Sequence, residues 1–402
     1  MRCNSTAARR KSVNDKGSIK MNRIYLDNAA TSWPKPETVY KAVDNFNRNI
    51  GGNPGRGTTS FAWTPANMVL ETRELLARLF HIGDPLRIAF TLNITEALNL
   101  ALKGTLQAGD HLIISSMEHN AIARPAFAMA DQGLEFTVIP CSTEGLLDPK
   151  AVLKAVKKNT KMVALLQASN VTGTIQPVEE VGRICREKGI LFLVDTAQSA
   201  GVLPIDVDRQ CIDILAFTGH KGLYGPQGTG GIYVRQGLTV APLKEGGTGS
   251  QSQDTRQPQF MPDCLESGTL NTPGIIGLGE GVRFVLEKGV AAIRLREQKL
   301  MSMLCSGLAE ITRVKQHGLP LLDARTAVLS FTIDGMDSAQ ISFLLEQEYG
   351  IVTRGGLHCA PLAHQTMGTL EQGTCRLSPG LFNTEQQMEA VISAIAAIAQ
   401  KV

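Results

Sequence analysis

A lysine framed by glycines and preceded by a histidine suggests more than surface charge. In "AFTGHKGLYGPQGTGG", residues 216–231, Lys221 follows His220 and lies between Gly219 and Gly222, with Gly225 close behind. A lysine amine forms a Schiff base with a carbonyl only when unprotonated, which requires desolvation or nearby positive charge. A flexible surface turn would also accommodate "GHKG", so the four residues alone do not decide. Upstream, Asp195 ends the apolar run "ILFLVD". A carboxylate there suits a protonated ring nitrogen, the pairing that turns a pyridine cofactor into an electron sink. The same aspartate could instead cap a helix.

Other segments offer complementary groups. "LNITEALN" follows a strand pattern and opens a helix, so the backbone N–H groups around Ile94 and the Thr95 hydroxyl suit a phosphate. Thr218 and His220 add donors. "MEHNAIARP" puts His119 at a strand end, where an imidazole can stack on a flat ring or serve as an ordinary loop histidine. "ASNVTG" puts Asn170 at another. Cys359, in "RGGLHCAP", follows glycines, with His358 beside it and Arg354 five residues earlier. A polar, cationic, flexible setting favours a reactive thiolate, whereas a buried loop cysteine would be inert. Cys375, beside Arg376, reads as packing.

The elements that must position these residues alternate. "ETRELLARLF" (71–80), 94–106, 120–133 and 178–189 have helical apolar spacing, and 148–160 is a helix capped by Asp148 with Pro149 in its first turn. "RIAFTL" (87–92), "HLIISS" (111–116), "EFTVIP", "KMVALLQAS" and "ILFLVDTAQ" read as strands. Continuous apolar strands between helices indicate an α/β fold whose mainly parallel sheet is covered on both faces. Function in such sheets gathers at the carboxyl ends of the strands. Beyond about residue 285 the rhythm changes: a long helix over roughly 285–310, a strand at 327–333, a helix at 337–349, a Gly- and His-rich loop at 354–368 and a final helix at 384–400. The expected organisation is an extension over 1–20, an N-terminal segment over 21–40 packing with the small domain, a large domain over 41–285 and a small α/β domain over 286–402 carrying the Cys359 loop.

The chain has 402 residues, 43% hydrophobic and 19% charged, with net charge +3, the profile of a globular protein without a nucleic-acid footprint. No run of 18 apolar residues suggests a membrane span. The basic opening "MRCNSTAARRKSVNDKGSIK" lacks the apolar core of a secretory signal. It reads as a disordered extension, with a transit peptide the sharper alternative and Met21 a candidate natural start. The eight cysteines show no CxxC or metal-finger spacing and read as reduced thiols of a cytoplasmic protein that binds no metal.

Taken in order, "YLDNAATSWPKP", "NPGRG", "TEALN", "MEHNAIARP", "SNVTGTIQP", "VDTAQSAG", "TGHKGLYGPQGTGG", "ESGTLNTPG", "RGGLHCAP" and "RLSPGLFNT" resemble the cysteine desulfurase and selenocysteine lyase family. These are fold-type I pyridoxal-phosphate enzymes of the aminotransferase class V group, with "RGGLHCAP" similar to group II desulfurases. The resemblance covers residues 22–400. It implies a large domain with a seven-stranded-type sheet and pyridoxal 5'-phosphate held by Lys221 as a Schiff base. It further implies that Asp195 pairs with the ring nitrogen, His119 stacks on the ring, Ala197 lies under it, and Asn170 and Gln198 approach its phenolic oxygen. Ile94, Thr95, Thr218 and His220 would hold the phosphate. Thr269, in "ESGT", would reach the phosphate of a neighbouring subunit, which implies a homodimer. Asn28, Asn170, Arg354 and Arg376 would contact substrate, with Arg376 gripping its carboxylate. Lys221, Cys359, His119 and His358 would be the catalytic set. Two positions depart from the pattern: Ile94 stands where a second hydroxyl is common, and Leu357 where a first histidine is common.

The implied reaction takes L-cysteine or L-selenocysteine to L-alanine, with sulfur left as a persulfide on Cys359 or selenium released. An acceptor protein for the sulfur or selenium is a further implied partner. Another class V enzyme, a β-lyase or transaminase, would tolerate loss of Cys359. A non-catalytic dimeric scaffold would have no need to keep Lys221 and Asp195 together.

Overall fold

The computed structural model describes residues 23–55 and 59–401. The expectations for residues 1–20, for Met21 and for the Arg56–Gly57 part of "NPGRG" lie outside these residues.

The short strand β1 (Ile24–Tyr25) opens the described chain. Seven strands follow: β2 (Ile88–Thr91), β3 (His111–Ser115), β4 (Glu135–Ile139), β5 (Thr160–Leu166), β6 (Leu191–Asp195), β7 (Ile214–Thr218) and β8 (Gly230–Val234). They form one sheet in the order β2-β8-β7-β6-β5-β3-β4. β8 runs antiparallel to both of its neighbours, and the other pairings are parallel. The carboxyl ends of β2, β3, β5, β6 and β7 therefore share one edge of the sheet.

Alternation along each strand sends successive side chains to opposite faces. On β7, Leu215 and Phe217 enter one core, while Ile214 and Ala216 enter the other. On β6, Phe192 and Val194 join the first and Leu193 the second. Both faces are covered by helices, which explains why these strands are apolar without interruption. Helices Ser60–Phe80 and Thr272–Lys288 supply the first core with Leu76, Phe80, Leu278 and Val282, and helix Ile94–Thr105 supplies the second with Leu98 and Leu102.

The remaining strands are β9 (Val314–His317), β10 (Leu329–Ile333), β11 (Ile351–Val352), β12 (Arg354–Gly356) and β13 (Thr374–Leu377). β12-β13-β10-β9 form an antiparallel sheet. It packs with helices Val290–Ala309, Ser338–Tyr349 and Glu385–Ala399 around Phe331, Leu300, Leu345 and Ile395. β1 pairs in parallel with β11, and Leu26 joins this same core. No helix among the described residues is long and apolar enough to cross a membrane.

Several elements differ from the sequence reading. The helix expected over 285–310 is Val290–Ala309; a helix the sequence reading did not give, Thr272–Lys288, precedes it, and the two are divided at Gly289, whose φ of +80° lies in the region that favours glycine. The loop expected over 354–368 contains β12 and helix Pro361–Met367, which starts on a proline and is closed by Gly368 at φ +71°. The strands β7 and β8 flank "GHKG", where glycines suggest only loop. Gly231 lies within β8 because a Cβ there would come within 2.4 Å of the Phe217 ring.

Candidate functional site

Five strand ends converge on Lys221. β7 ends at Thr218, and the chain turns through Gly219–Gly222. Lys221 is a partly buried side chain. Burial pushes its amine down to about 8; Asp195 opposes the shift, and the Arg376 and Arg354 guanidinium groups add to it. An amine so placed is neutral at mildly alkaline pH, as Schiff-base chemistry requires. Capture of pyridoxal phosphate by cofactor-free protein, followed by absorbance, should therefore be half-maximal at about pH 8 and level off roughly a unit above it. A rate still climbing towards 10.5, the ordinary lysine value, would show an unperturbed amine.

Asp195 ends β6 and is 4% exposed. One carboxyl oxygen accepts the Ala197 N–H at 2.8 Å. Burial raises its pKa; the Ala197 N–H and the Lys221 charge pull it back. A bound cation is the natural partner for such a carboxyl. Asp195→Asn should keep the fold and lower turnover by about 10²-fold or more, checked by alanine release.

His119 follows β3 and caps helix Asn120–Ala130, its Nδ1 accepting the Ala121 N–H at 3.0 Å. Nε2 therefore carries the ring proton. Burial, then Lys221, Arg354, Arg376 and Arg124, hold the imidazole's pKa down to about 4, so the ring is neutral. Asn170 lies in the loop after β5. Its Nδ2 donates to the His358 carbonyl at 2.7 Å, while its Oδ1 is buried without a partner. Gln198 donates to the Ala29 carbonyl at 3.0 Å. Ala197, Gln198, Asn28 and Lys221 line one cavity. Asn28 itself is fixed between the Ser378 carbonyl and the Trp33 N–H.

On the phosphate side, Asn93 caps helix Ile94–Thr105 by accepting the Glu96 N–H at 3.0 Å. Ile94 is buried and Thr95 exposed at that N-terminus. Thr218 is buried, and His220 has a buried Nδ1 without a partner. Burial holds the His220 pKa down to about 4. Thr269 is exposed and lines a groove with Leu92 and Glu96, apart from the cavity at Lys221.

Buried polar atoms rarely lack partners, so orphans at one place point to a missing group. The unpaired Asn170 Oδ1 and His220 Nδ1, the Asp195 carboxyl and the free helix N-terminus offer a polar acceptor, an imidazole nitrogen, an anion and phosphate-binding amides around one reactive amine. This donor set fits pyridoxal phosphate.

The small domain contributes the thiol and two guanidinium groups. β12 and β13 place Arg354 opposite Arg376. Like charges face each other at this position, which favours an anion between or beside them. Arg376 is 1% exposed; it donates to the Asp27 carboxylate at 2.6 Å and to the Asn170 carbonyl at 2.9 Å, leaving Nε unpaired. Arg354 forms no ion pair among the described residues, and its guanidinium lies 3.9 Å from the Cys359 sulfur. Cys359 is exposed, on a turn where both it (φ +57°) and His358 (φ +50°) are left-handed. The structure does not turn His358 towards the thiol. Its ring is 4% exposed and Nε2 lies 3.1 Å from both the carbonyl and the hydroxyl of Thr374. Burial drives its pKa down to about 2, so it is no proton carrier at neutral pH. Neighbours in sequence part company here because the left-handed turn sends their side chains in different directions.

Sequence reasoning missed four participants. Asp27 orients Arg376. Lys35 donates to Ser32 and, at 3.3 Å, to the His220 carbonyl, which also accepts the Ser32 N–H and the Thr31 hydroxyl. These contacts tie the N-terminal segment to the lysine loop. Glu118 is fully buried, bonded to Ser115 and to the Leu166 N–H, with its pKa raised by burial to about 8. Glu297 is 7% exposed in the cavity that reaches Lys221. The polar run "DNAATSWPKP" signalled the first two; burial of the acids left no mark in sequence.

Comparison with known proteins gives a consistent result. The family model described as Aminotransferase class-V matches residues 24–391. A probable cysteine desulfurase of Methanothermobacter thermautotrophicus is 32% identical over 374 residues, 92% of each chain. Among solved structures, an apo cysteine desulfurase from Thermococcus onnurineus superposes with a TM-score of 0.89 at 32% identity, covering 95% of this chain and 96% of the other. The cysteine desulfurase CsdA from Escherichia coli, in its S-sulfonic acid form, gives 0.85 at 30% identity, covering 94% and 95%.

Proposed function

Since the chain belongs to the aminotransferase class-V family, we propose that it is a pyridoxal-phosphate-dependent cysteine desulfurase converting L-cysteine to L-alanine and a persulfide on Cys359. The observation that carries this reading is an exposed thiol, 3.9 Å from an arginine that forms no ion pair among the described residues, on a turn bonded through Asn170 to the loop after β5, whose last residue pairs with Asp195.

Lys221, Asp195, His119, Asn170, Ala197 and Gln198 would hold the cofactor's ring, and Ile94, Thr95, Thr218 and His220 its phosphate. Pyridoxal phosphate supplies an electron sink that loosens the bonds to the substrate's α-carbon. Arg354 and Arg376 receive the substrate carboxylate, with Asp27 fixing Arg376 so that little rearrangement is needed. Lys221, neutral near pH 8, takes the α-proton and later returns a proton to carbon. The Cys359 sulfur forms a bond to the substrate sulfur as the carbon–sulfur bond breaks. The electron pair of the broken bond stays with carbon, which gains a proton and leaves as L-alanine. Arg354 offers positive charge to the attacking sulfur. The persulfide then passes to a thiol-bearing acceptor.

L-Selenocysteine fits the same site: a selenol ionises more readily than a thiol and its carbon–selenium bond is weaker. A homodimer is suggested by Thr269, which is exposed and lies apart from the cavity at Lys221. In that dimer Thr269 would reach the neighbour's phosphate. The seven described cysteines are all free thiols, which supports a cytoplasmic setting. Side-by-side turnover of L-cysteine and L-selenocysteine, with alanine quantified, tests the reading. Alanine from both is expected; alanine from neither, with pyruvate or a keto acid instead, would favour the β-lyase or transaminase.

A further inference from the structure

The turn that presents Cys359 is held in an unfavourable backbone conformation. Two consecutive non-glycine residues at φ +50° and +57° persist only where the surroundings over-determine them. Three anchors act on backbone atoms: Asn170 Nδ2 donates to the His358 carbonyl at 2.7 Å, the Asn120 N–H to the Cys359 carbonyl at 2.8 Å, and the Ala360 N–H to the Leu357 carbonyl at 2.9 Å. The fourth is the His358 side chain, whose Nε2 meets the Thr374 carbonyl at 3.1 Å. A carbonyl only accepts, so Nε2 must carry the ring proton. Nδ1 is then a bare acceptor, and it is buried without a partner.

The ring that faces it is His364, on helix Pro361–Met367, with centroids 5.6 Å apart and planes tilted by 43°. His364 is fully buried. Its Nδ1 lies 2.8 Å from the Thr369 hydroxyl, and its Nε2 is the second orphan of the pair. If the hydroxyl donates to Nδ1, Nε2 carries a proton. That proton is the donor His358 Nδ1 lacks; the two nitrogens do not bond each other directly, so one bridging water delivers it.

We propose that His364 is a positioning residue for Cys359: it fixes His358 in the tautomer that donates to Thr374, and so holds the turn that presents the thiol. Without this donor His358 can shift its proton to Nδ1, which places a bare Nε2 against the Thr374 carbonyl and releases the fourth anchor. The chain of contact runs Thr369, His364, His358, Thr374, and none of these groups touches substrate. The proposal rests on Cys359 as the nucleophile, but its test reads the thiol itself.

The experiment compares wild type, His364→Ala, His364→Gln and Thr369→Val as holoenzymes. Alkylation of Cys359 by iodoacetamide is timed and mapped by peptide mass, alongside kcat and KM for L-cysteine and the cofactor's absorbance. His364→Ala is expected to change the alkylation rate several-fold and lower kcat about tenfold, with KM and absorbance unchanged. His364→Gln, which keeps an N–H donor, should recover most of both. Thr369→Val, nearly isosteric, should move both in the same direction by less, and it decides the matter if His364→Ala does not fold. Wild-type alkylation and kcat in His364→Ala, or in Thr369→Val where that variant decides, would overturn the proposal. Equal defects in His364→Ala and His364→Gln would overturn it too, since packing alone would then explain them. Loss of turnover in Cys359→Ala tests the nucleophile separately, because the alkylation rates stand whatever that variant does.

Discussion

Lys221→Ala should leave a folded protein that no longer releases alanine from L-cysteine, with a loss of roughly 10²–10⁴-fold from its proton-transfer role alone. The side chain removed is the amine whose pKa burial lowers to about 8. It lies in a loop fixed by several donors on the His220 carbonyl, so truncating it disturbs few packing contacts. Pyridoxal phosphate should still bind, through Asp195, the phosphate donors and the ring contacts, but dialysis should remove it. In wild type, borohydride should fix the cofactor to the peptide containing Lys221. Label on another lysine, or turnover in the variant near that of wild type, would remove Lys221 from its role.

The second large effect is at Cys359. Cys359→Ala should abolish cysteine desulfuration, a loss of roughly 10⁴-fold or more, as expected when a covalent nucleophile is removed. Its absorbance spectrum should match the wild type's, because the thiol is exposed, its one side-chain contact is the Arg354 guanidinium at 3.9 Å, and the Asn120 N–H bonds its backbone carbonyl, which the substitution keeps. Turnover of L-selenocysteine should survive in part when a small thiol such as dithiothreitol is present, since the carbon–selenium bond is weaker and that thiol can take the selenium as a selenenyl sulfide while the bond pair stays with carbon. Alanine assays on both substrates measure this. A variant that desulfurates L-cysteine at the wild-type rate would make the enzyme a general lyase of the same fold.

The contrast between Asp195 and Glu118 shows what the sequence makes legible. Asp195 ends an apolar strand, and a charge in that position is visible against its neighbours. Glu118 is as deeply buried, yet it sits in a polar stretch, "MEHN", and nothing in its spelling reveals that Leu166 and Ser115 enclose it. Asn170 and His119 were legible for the same reason as Asp195: each lies just past a strand that the apolar pattern announces, and a parallel sheet gathers those ends; Lys221 was legible instead from the histidine and glycines that frame it. Contacts that depend on distant segments were not. Lys35 meets the carbonyl of His220, 185 residues away, and Asp27 meets Arg376, 349 residues away. His358 shows a local limit. Adjacency to Cys359 suggested a shared task, but the backbone angles of two residues separate their side chains, and only coordinates supply those angles. In the fold, continuous apolar strands announced the covered sheet, while β8 was hidden because its glycines serve close packing rather than a turn, and β7 because it runs straight into the glycine-rich "GHKG" segment.

The most direct measurement is the mass of the Cys359 peptide after one turnover. Holoenzyme mixed with a single equivalent of L-cysteine, without reductant, should yield one equivalent of L-alanine and a Cys359 peptide heavier by one sulfur atom. Alanine release with that peptide unchanged, or with the extra sulfur on another of the cysteines, would contradict the account.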